Sequence, residues 1–411
     1  MTFVQQFSTA IKNPDYLASY WRKLVREFTF FDFDYRFLKG YSFPPKSLCF
    51  ILTEHCNLQC VMCDIGQKNA HRSSAELFPL AASLEKGGET LTLQDWKRIV
   101  DDLVGNGWDP LLLLTGTEPL LYPQVRELVN YIVANNLRLH ITTNGTVLSR
   151  FAKALVDCCT KPDSLTITVS LDGIGELHDT IRGVSGTFDR ALEGLEALTA
   201  SKRERSSAWP HVSICYTVSN HNCEHMADFV EWFRKKDVDL TSITFSHLWF
   251  KDATIVERHN EHYGTCFPVK QENLTGLDIA AIDMDSVHAQ IQKMRATSGG
   301  YPFAILEQPR LSRKESRAYY TQPTEAVFHN RCLAPWRNVA INPRGEVIIS
   351  PLCFDYPLGN VKQDTFPHIW NSTQFRRFRS RLRKVGMYPA CSRCCMLFDS
   401  KPKYYKLRDL M

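Results

Sequence analysis

Short apolar runs alternate with amphipathic stretches along residues 48–248 of this 411-residue chain. In the stretches between the runs, apolar residues recur at the spacing of an α-helix. Strands that alternate with helices in this way predict βαβ units and a parallel sheet. The sequence therefore predicts an α/β fold, an open, partial (β/α)6 barrel. The six predicted strands lie in residues 48–53, 110–114, 137–143, 164–171, 211–218 and 242–248.

The rest of the chain divides around this barrel. Residues 1–45, rich in aromatics, are predicted to form a helical and extended segment on the flank of the barrel, which spans residues 46–250. Residues 251–330 show no clean period and are predicted to connect across the barrel mouth. Residues 331–411 hold a second group of cysteines and are predicted to form a small C-terminal domain.

The fourteen cysteines indicate metal binding or catalysis once the compartment is considered. The N-terminus lacks the pattern of a secretory signal, and no apolar run approaches the roughly 18 residues of a membrane span. A cytoplasmic location is therefore predicted, where thiols stay reduced and clustered cysteines favour metal sites over disulfides. The net charge of +5, without a dominant basic tract, does not indicate nucleic-acid binding.

Three cysteines, Cys56, Cys60 and Cys63, follow the first predicted strand with the spacing Cys-x3-Cys-x2-Cys. Loops at the carboxyl ends of barrel strands carry chemistry in parallel α/β proteins. Three thiolates can hold three irons of a [4Fe–4S] cluster and leave the fourth iron open for a ligand. The alternative is a structural zinc site with His55 as the fourth ligand, although a histidine next to Cys56 would be crowded.

Motifs at the ends of the next three strands make the chain resemble the radical S-adenosylmethionine (SAM) superfamily. Thr-Gly-Thr-Glu-Pro at 115–119 stands where that family has Gly-Gly-Glu-Pro, and Thr-Thr-Asn-Gly at 142–145 ends the third strand. Ser-Leu-Asp-Gly at 170–173 ends the fourth strand, and His-Asp-Thr-Ile-Arg-Gly at 178–183 follows. The resemblance implies that the open iron binds the amine and carboxylate of SAM.

The resemblance also implies roles for individual residues. Glu118 would accept from the methionine amine, and Gly116 would let the backbone approach closely. Asn144, with Thr142 or Thr143, would meet the ribose. The full set of implied cofactor-binding residues is Met62, Gly116, Thr117, Glu118, Thr142, Thr143, Asn144, Ser170, Asp172 and Arg182. Within it, Ser170 and Arg182 would hold the methionine carboxylate.

Two members of this set depart from the family pattern. Thr117 replaces the second glycine, so the backbone there is expected in an ordinary region. Met62 replaces the usual aromatic residue beside adenine, where its sulfur can still cover a ring edge.

The reaction implied by this resemblance begins with one electron from the reduced cluster. The C5′–S bond of SAM breaks, and the resulting 5′-deoxyadenosyl radical takes a hydrogen atom from the substrate. A reducing partner such as flavodoxin or ferredoxin would supply the electron. The protein itself positions the cofactor, tunes its electronics and excludes side reactions.

The C-terminal cysteines resemble the SPASM and twitch extensions of the same superfamily. A hairpin turn predicted at Asn-Pro-Arg-Gly, residues 342–345, lies between cysteines, and a Cys-x2-Cys closes the segment. Five cysteines here suit the single-cluster twitch version with one auxiliary [4Fe–4S] cluster. Its implied ligands are Cys332, Cys353, Cys391 and Cys394, with Cys395 as the alternative to Cys394. A structural zinc ribbon is the competing reading.

The substrate is predicted to be small and polar, such as a sugar or an aminoglycoside-type intermediate of antibiotic biosynthesis. Only about 45 residues precede the barrel, and one auxiliary cluster is expected instead of two; both features lean away from peptides. A peptide-modifying maturase and a non-catalytic metal-binding scaffold remain the alternatives. Dehydrogenation and epimerisation both stay open, and Cys215 and Cys266 are the candidate hydrogen donors for epimerisation.

A basic run at residues 375–384 is interpreted as an ordinary surface helix. Phe375, Phe378 and Leu382 recur at helical spacing and are predicted to face inward, with the arginines solvated.

Overall fold

The computed structural model describes residues 31–70, 90–269, 277–297, 300–325, 327, 331–349, 354, 356 and 358–394. One sheet of nine strands forms the centre of the fold, in the order β7-β6-β5-β4-β3-β2-β1-β8-β9. The strands are β1 Ser47–Phe50, β2 Leu111–Leu114, β3 Leu139–Thr143, β4 Leu165–Ser170, β5 His211–Val218, β6 Ser242–His247, β7 Ala304–Gln308, β8 Asn338–Ile341 and β9 Val347–Ile348. All neighbours pair in parallel except β8 and β9, which are antiparallel.

Helices connect the strands and cover the outer face of the sheet. They are α1 Phe31–Phe37, α2 Asp64–Asn69, α3 Leu93–Gly105, α4 Val125–Ala134, α5 Ala152–Cys158, α6 Glu176–Arg182, α7 Thr187–Glu204, α8 Met226–Arg234, α9 Ala253–Tyr263, α10 Met284–Thr297, α11 Arg313–Thr321, α12 Phe366–Trp370 and α13 Thr373–Val385. In the described parts of the chain, none of them combines the length and apolar character that a membrane crossing needs.

The predicted α/β fold with a parallel sheet is confirmed, and β1–β6 are the six predicted strands. The sheet is wider than six strands, however. β7 comes from the segment predicted as a connection and lies at the sheet edge, where its side chains alternate between exposed and half-buried. Its short apolar run, residues 303–306, stands alone in a polar segment without a regular period, so the sequence does not distinguish it as a strand. β8 of the C-terminal domain pairs with β1, so this domain continues the barrel sheet.

The two faces of the sheet differ in chemistry. Outward residues such as Ile141, Ile167 and Ile214 are fully buried against the helices and form the main core. Inward residues of β3–β6 are mostly half-buried and carry hydroxyl, thiol or imidazole groups. Parallel strands with one apolar and one polar face indicate a barrel whose interior is a place for polar ligands.

A buried arginine fastens the N-terminal segment to the C-terminal domain. Phe375, Phe378 and Leu382 of α13 are buried as the spacing predicted, but Arg379 is buried with them, so the prediction that the arginines are solvated is wrong at this position. Its guanidinium donates to the carbonyl oxygens of Pro335 (2.8 Å), Gly40 (3.2 Å) and Trp370 (2.8 Å). It lies four residues after Phe375, within the inward stripe, and this position decides its burial.

Candidate active site

The first cysteine loop leaves β1 and rests on the end of α6. The backbone N–H groups of Gln59 and Val61 donate to the carbonyl oxygens of Arg182 and Ile181, both at 3.0 Å. Carbonyls in the last turn of a helix lack partners within the helix, so the loop satisfies them. The cysteine loop and the helix that carries Arg182 are therefore fixed to each other.

Helix α2 supports the same loop from its other side. The side-chain amide of Asn69 donates to the carbonyl oxygens of Cys56 (2.9 Å) and Leu58 (3.1 Å). At Gly66, a Cβ atom would come within 2.5 Å of the backbone N and O of Cys60, so only glycine allows this approach. Neither residue was predicted from the sequence; the available signal was their place in a short helix directly after the third cysteine.

The three thiols lie close enough to influence one another. Burial raises the pKa of Cys56, with further increases from Cys60, Glu118 and Cys63; burial also raises the pKa of Cys60, and that of Cys63 to about 11. Bound iron would offset this cost, because a metal deprotonates its thiol ligands. In the described chain, no three His, Cys, Asp or Glu side chains are grouped to share one metal ion. Three thiols on one loop can each bind a different iron of a cluster.

Glu118 forms a buried carboxylate cradle beside the thiols. One of its oxygens accepts from the hydroxyl of Thr143 (2.8 Å) and the N–H of Leu120 (3.0 Å), and the other from the N–H of Asn144 (2.7 Å). Burial raises the pKa of Glu118 to about 7, against the lowering effect of these bonds. A carboxylate offers about four acceptor positions, and three are used. One position remains for a further donor such as the amine of SAM.

Asn144 is held by a ring of polar side chains. Its amide donates to the side-chain oxygen of Asn57 (2.8 Å), and its own oxygen accepts from the hydroxyl of Thr146 (2.7 Å). The amide of Asn57 closes the ring by donating to the same hydroxyl (2.8 Å). Asn57 stands between the first two cysteines, so this ring joins the cysteine loop to the end of β3. Asn57 and Thr146 were not predicted from the sequence.

Arg182 is buried between the cysteine loop and Asp172. One guanidinium nitrogen lies 2.6 Å from a carboxylate oxygen of Asp172, and another donates to the Cys60 sulfur at 3.7 Å. The 2.6 Å contact is a close, buried ion pair. The other oxygen of Asp172 accepts from the N–H of Thr217 at 2.7 Å. Within the described residues, Nε of Arg182 has no partner, so the guanidinium keeps a donor for an anionic ligand.

Ser170 and Cys215 face each other across β4 and β5 on the inner wall. Burial raises the pKa of the Cys215 thiol to about 12, and the charge of Asp172 raises it further while Arg182 lowers it. Cys215 thus lies at the Arg182 site as a protonated thiol. Cys266 is exposed, and a hydrogen bond with Arg381 lowers its pKa. The structure therefore places one candidate donor at the site and the other on the surface beside α13.

The remaining predicted cofactor residues lie around this centre. Gly116 has a φ of +106°, and the side chain of Ile51 fills the space where a Cβ would point. The hydroxyl of Thr117 donates to the carbonyl oxygen of Thr53 at 2.8 Å, which ties the second strand end to the first. Met62 is half-buried against the small apolar cluster of the cysteine loop. Thr142 is half-buried on the inner face of β3.

The mouth end of the inner wall is lined with hydroxyl groups that make no hydrogen bond among the described residues. Strand register aligns Cys215 with Thr244, and Thr217 with Ser246. Deeper in the barrel, hydroxyls bond one another, as Ser242 does with Ser213 at 2.9 Å. The hydroxyls of Thr217, Thr244 and Ser246 make no hydrogen bond to any described residue. On the opposite wall, Cys49, Ile51 and Ala340 form an apolar patch.

The C-terminal cysteines are only partly within the described chain. Cys332 and Cys391 are buried and Cys394 is half-buried, whereas Cys353 and Cys395 lie outside the described residues. The N–H of Cys332 donates to Gly386 at 2.8 Å, and that of Cys394 to Cys391 at 3.2 Å.

Arg393, between two of these cysteines, is almost fully buried. Its guanidinium donates to carbonyl oxygens at and after the end of α11: those of Tyr319, Gln322, Ala318 (3.2 Å) and Glu325 (2.8 Å). The Cys-x2-Cys loop is therefore fastened to α11.

Comparison with known proteins gives a family for both cysteine-bearing regions. Residues 50–233 match the radical SAM superfamily, and residues 332–395 match the SPASM iron–sulfur cluster-binding domain. The AdoMet-dependent heme synthase of Methanosarcina barkeri is 28% identical over 351 residues, which cover 84% of this chain and 88% of that protein. The subtilosin biosynthesis protein AlbA of Bacillus subtilis is 25% identical over 335 residues, 80% of this chain and 60% of that protein.

A solved structure supports the fold. Streptococcus suis SuiB bound to S-adenosylmethionine aligns with a TM-score of 0.53 at 15% identity, over 82% of this chain and 68% of SuiB. At this identity the likeness concerns the fold alone.

Proposed function

Because this chain is a radical SAM enzyme with a C-terminal SPASM-type iron–sulfur domain, we propose that it takes a hydrogen atom from a small polar substrate held inside the barrel. When bound, the [4Fe–4S] cluster and SAM supply the electron transfer and the adenosyl radical that removes this hydrogen atom. The residues of the chain bind, orient and enclose the reacting groups.

The proposed work of the site residues follows from their contacts. Cys56, Cys60 and Cys63 hold the first cluster on a loop that α2 and α6 immobilise. The free acceptor position of Glu118 takes the amine of SAM, and the free Nε of Arg182 takes its carboxylate. Both groups are desolvated before SAM arrives, which strengthens their charge-assisted hydrogen bonds.

The unused hydroxyls at the mouth end of the barrel carry the proposal for a polar substrate. Thr217, Thr244 and Ser246 are half-buried, and their hydroxyls are not engaged by described residues, so each can both donate to and accept from a polar ligand in the barrel. A sugar, an aminocyclitol or a similar polar compound offers such groups. The named relatives act in haem and bacteriocin biosynthesis and do not indicate a sugar-like substrate. The proposal of a polar substrate therefore depends on the hydroxyl groups of the inner wall.

Epimerisation is the candidate outcome that a specific residue favours. The Cys215 thiol lies on the same wall, and its raised pKa of about 12 keeps the S–H bond intact at neutral pH. The thiol would give its hydrogen atom to the substrate carbon radical. The resulting sulfur radical would regain one electron from a reduced electron carrier and one proton from solvent. Dehydrogenation, in which the auxiliary cluster accepts the second substrate electron, is the competing outcome.

The test uses anaerobically reconstituted protein, dithionite and SAM, with an aminoglycoside, iron–coproporphyrin or a precursor peptide as the added compound. We expect 5′-deoxyadenosine formation that the polar small molecule alone stimulates, and Thr244→Val should weaken this stimulation. Solvent deuterium in the product, lost in Cys215→Ala, would identify epimerisation; a product two electrons more oxidised would identify dehydrogenation. Stimulation by the porphyrin or the peptide instead would contradict the polar substrate.

A further inference from the structure

Helix α13 carries a stripe of exposed positive charge. Its thirteen residues include five arginines and lysines besides the buried Arg379, and no acidic residue. Arg377, Arg381 and Lys384 are exposed, and their spacing of four and three residues places them on one face. Because the opposite face is anchored by Phe378 and Leu382 in the core, the orientation of this basic stripe is fixed.

The cations of the basic stripe have no carboxylate partner within the described chain, although Arg381 hydrogen-bonds the exposed thiol of Cys266. On α11, by contrast, two arginines have a carboxylate partner, since Arg313 and Arg317 share Asp285 at 2.6 and 2.7 Å. Among the described residues, no carboxylate lies within ion-pair distance of the three stripe cations. Such a stripe projects a positive field into solvent and favours the approach of an acidic partner.

The basic stripe lies next to the C-terminal cysteines. Gly386, directly after α13, accepts a hydrogen bond from the N–H of Cys332 at 2.8 Å. Two residues later, the carbonyl of Tyr388 accepts from the N–H of Cys391 at 2.9 Å. A partner docked on the stripe therefore comes close to two of the proposed auxiliary ligands.

We infer that Arg377, Arg381 and Lys384 form the docking surface for an acidic one-electron carrier protein of the flavodoxin type. The inference rests on the proposed function, because each cleavage of SAM consumes one electron. The carrier is oxidised by one electron, and the sulfonium of SAM is reduced as its C–S bond breaks. Complementary charge speeds such an encounter, and salt screens it.

The test compares two double variants with the same change in charge. Arg377→Glu with Lys384→Glu reverses the basic stripe, and Arg138→Glu with Arg150→Glu reverses two exposed arginines elsewhere on the barrel. Formation of 5′-deoxyadenosine is measured against the concentration of reduced flavodoxin, and separately with dithionite. For the stripe variant we expect a KM for flavodoxin raised about tenfold and a weaker dependence on salt, since steering contributes at least this much. The dithionite rate and the control variant should match the wild type.

Other outcomes overturn the inference in distinguishable ways. An unchanged KM for flavodoxin, or an equal rise in the control variant, would show that the stripe is not the docking surface. If the stripe variant raises the KM for the substrate alone, the basic stripe binds an acidic substrate instead of the electron carrier. The double variant Arg377→Lys with Lys384→Arg keeps the charge, so its KM for flavodoxin should match that of the wild type. A raised KM for flavodoxin in this variant would contradict charge-based docking. If dithionite gives no 5′-deoxyadenosine with the wild type, the proposed function fails instead.

Discussion

The two cysteine-bearing regions are held in place by different means. Around the first loop, neutral groups do the work: the Asn69 amide, the close approach at Gly66 and the carbonyls at the end of α6. Around the second, the buried guanidinium of Arg393 gathers carbonyl oxygens from α11 and the residues after it.

The two kinds of support differ because only the first region has to leave hydrogen-bonding groups open for a ligand. The first loop leaves one acceptor position of Glu118 and Nε of Arg182 open for a ligand, and most of its supports are neutral groups. The second region has no such requirement in the described chain, and there an arginine can use all its donors on the protein. Its supports also lie far away in sequence, because α11 is about 70 residues before Arg393.

The largest expected effect distinguishes the two regions by function. Cys60→Ala should reduce SAM cleavage to background, because the first cluster loses a ligand that no neighbour replaces. Cys391→Ala should retain SAM cleavage while product formation fails. Both are measured as 5′-deoxyadenosine and product after anaerobic reconstitution. If Cys391→Ala also abolishes cleavage, the two regions do not divide the work in this way.

Arg393→Ala tests whether the second region depends on its buried charge. Truncation leaves several buried carbonyls without a donor, so the free energy of unfolding should fall by about 3 kcal/mol or more. The matched control is Arg313→Ala, which removes an exposed ion pair with Asp285 and should cost less than about 1 kcal/mol. Urea denaturation gives both values, and equal values for the two variants would contradict the anchoring role.

Gly66→Ala tests the close packing of the first loop. The added methyl would meet the backbone of Cys60, so we expect a loss of about 1–3 kcal/mol and a lower iron content after reconstitution. At Gly105, at the end of α3, a Cβ meets nothing within 4 Å, so Gly105→Ala should be neutral or slightly stabilising. Normal iron content in Gly66→Ala would show that the loop has room to adjust.

The sequence predicted those parts of the fold and the site that show a periodic pattern of apolar residues or a fixed spacing of cysteines. Alternating runs gave β1–β6, and Cys-x3-Cys-x2-Cys gave the first cysteine loop. Asn57 and Asn69 were missed because a single polar residue carries no period, and its partner is known only once the chain is folded. β7 was missed because its short apolar run stands alone in a polar segment, and Arg379 was assigned to solvent on its charge, although its position lies within the inward stripe.

The smallest expected effect concerns the carboxylate of Glu118, which keeps an acceptor position open in the first region. Because burial raises the pKa of Glu118 to about 7, its carboxylate form grows from a minority near pH 6 to a majority near pH 8. The carboxylate is a stronger acceptor than the neutral carboxyl for the N–H of the SAM amine, so the affinity for SAM should rise by up to about tenfold over this range. Calorimetric titration of the reconstituted protein measures this affinity. Glu118→Gln keeps the shape and removes the titration, so its affinity should be lower and flat with pH; a rise that persists in this variant would assign the titration to another group.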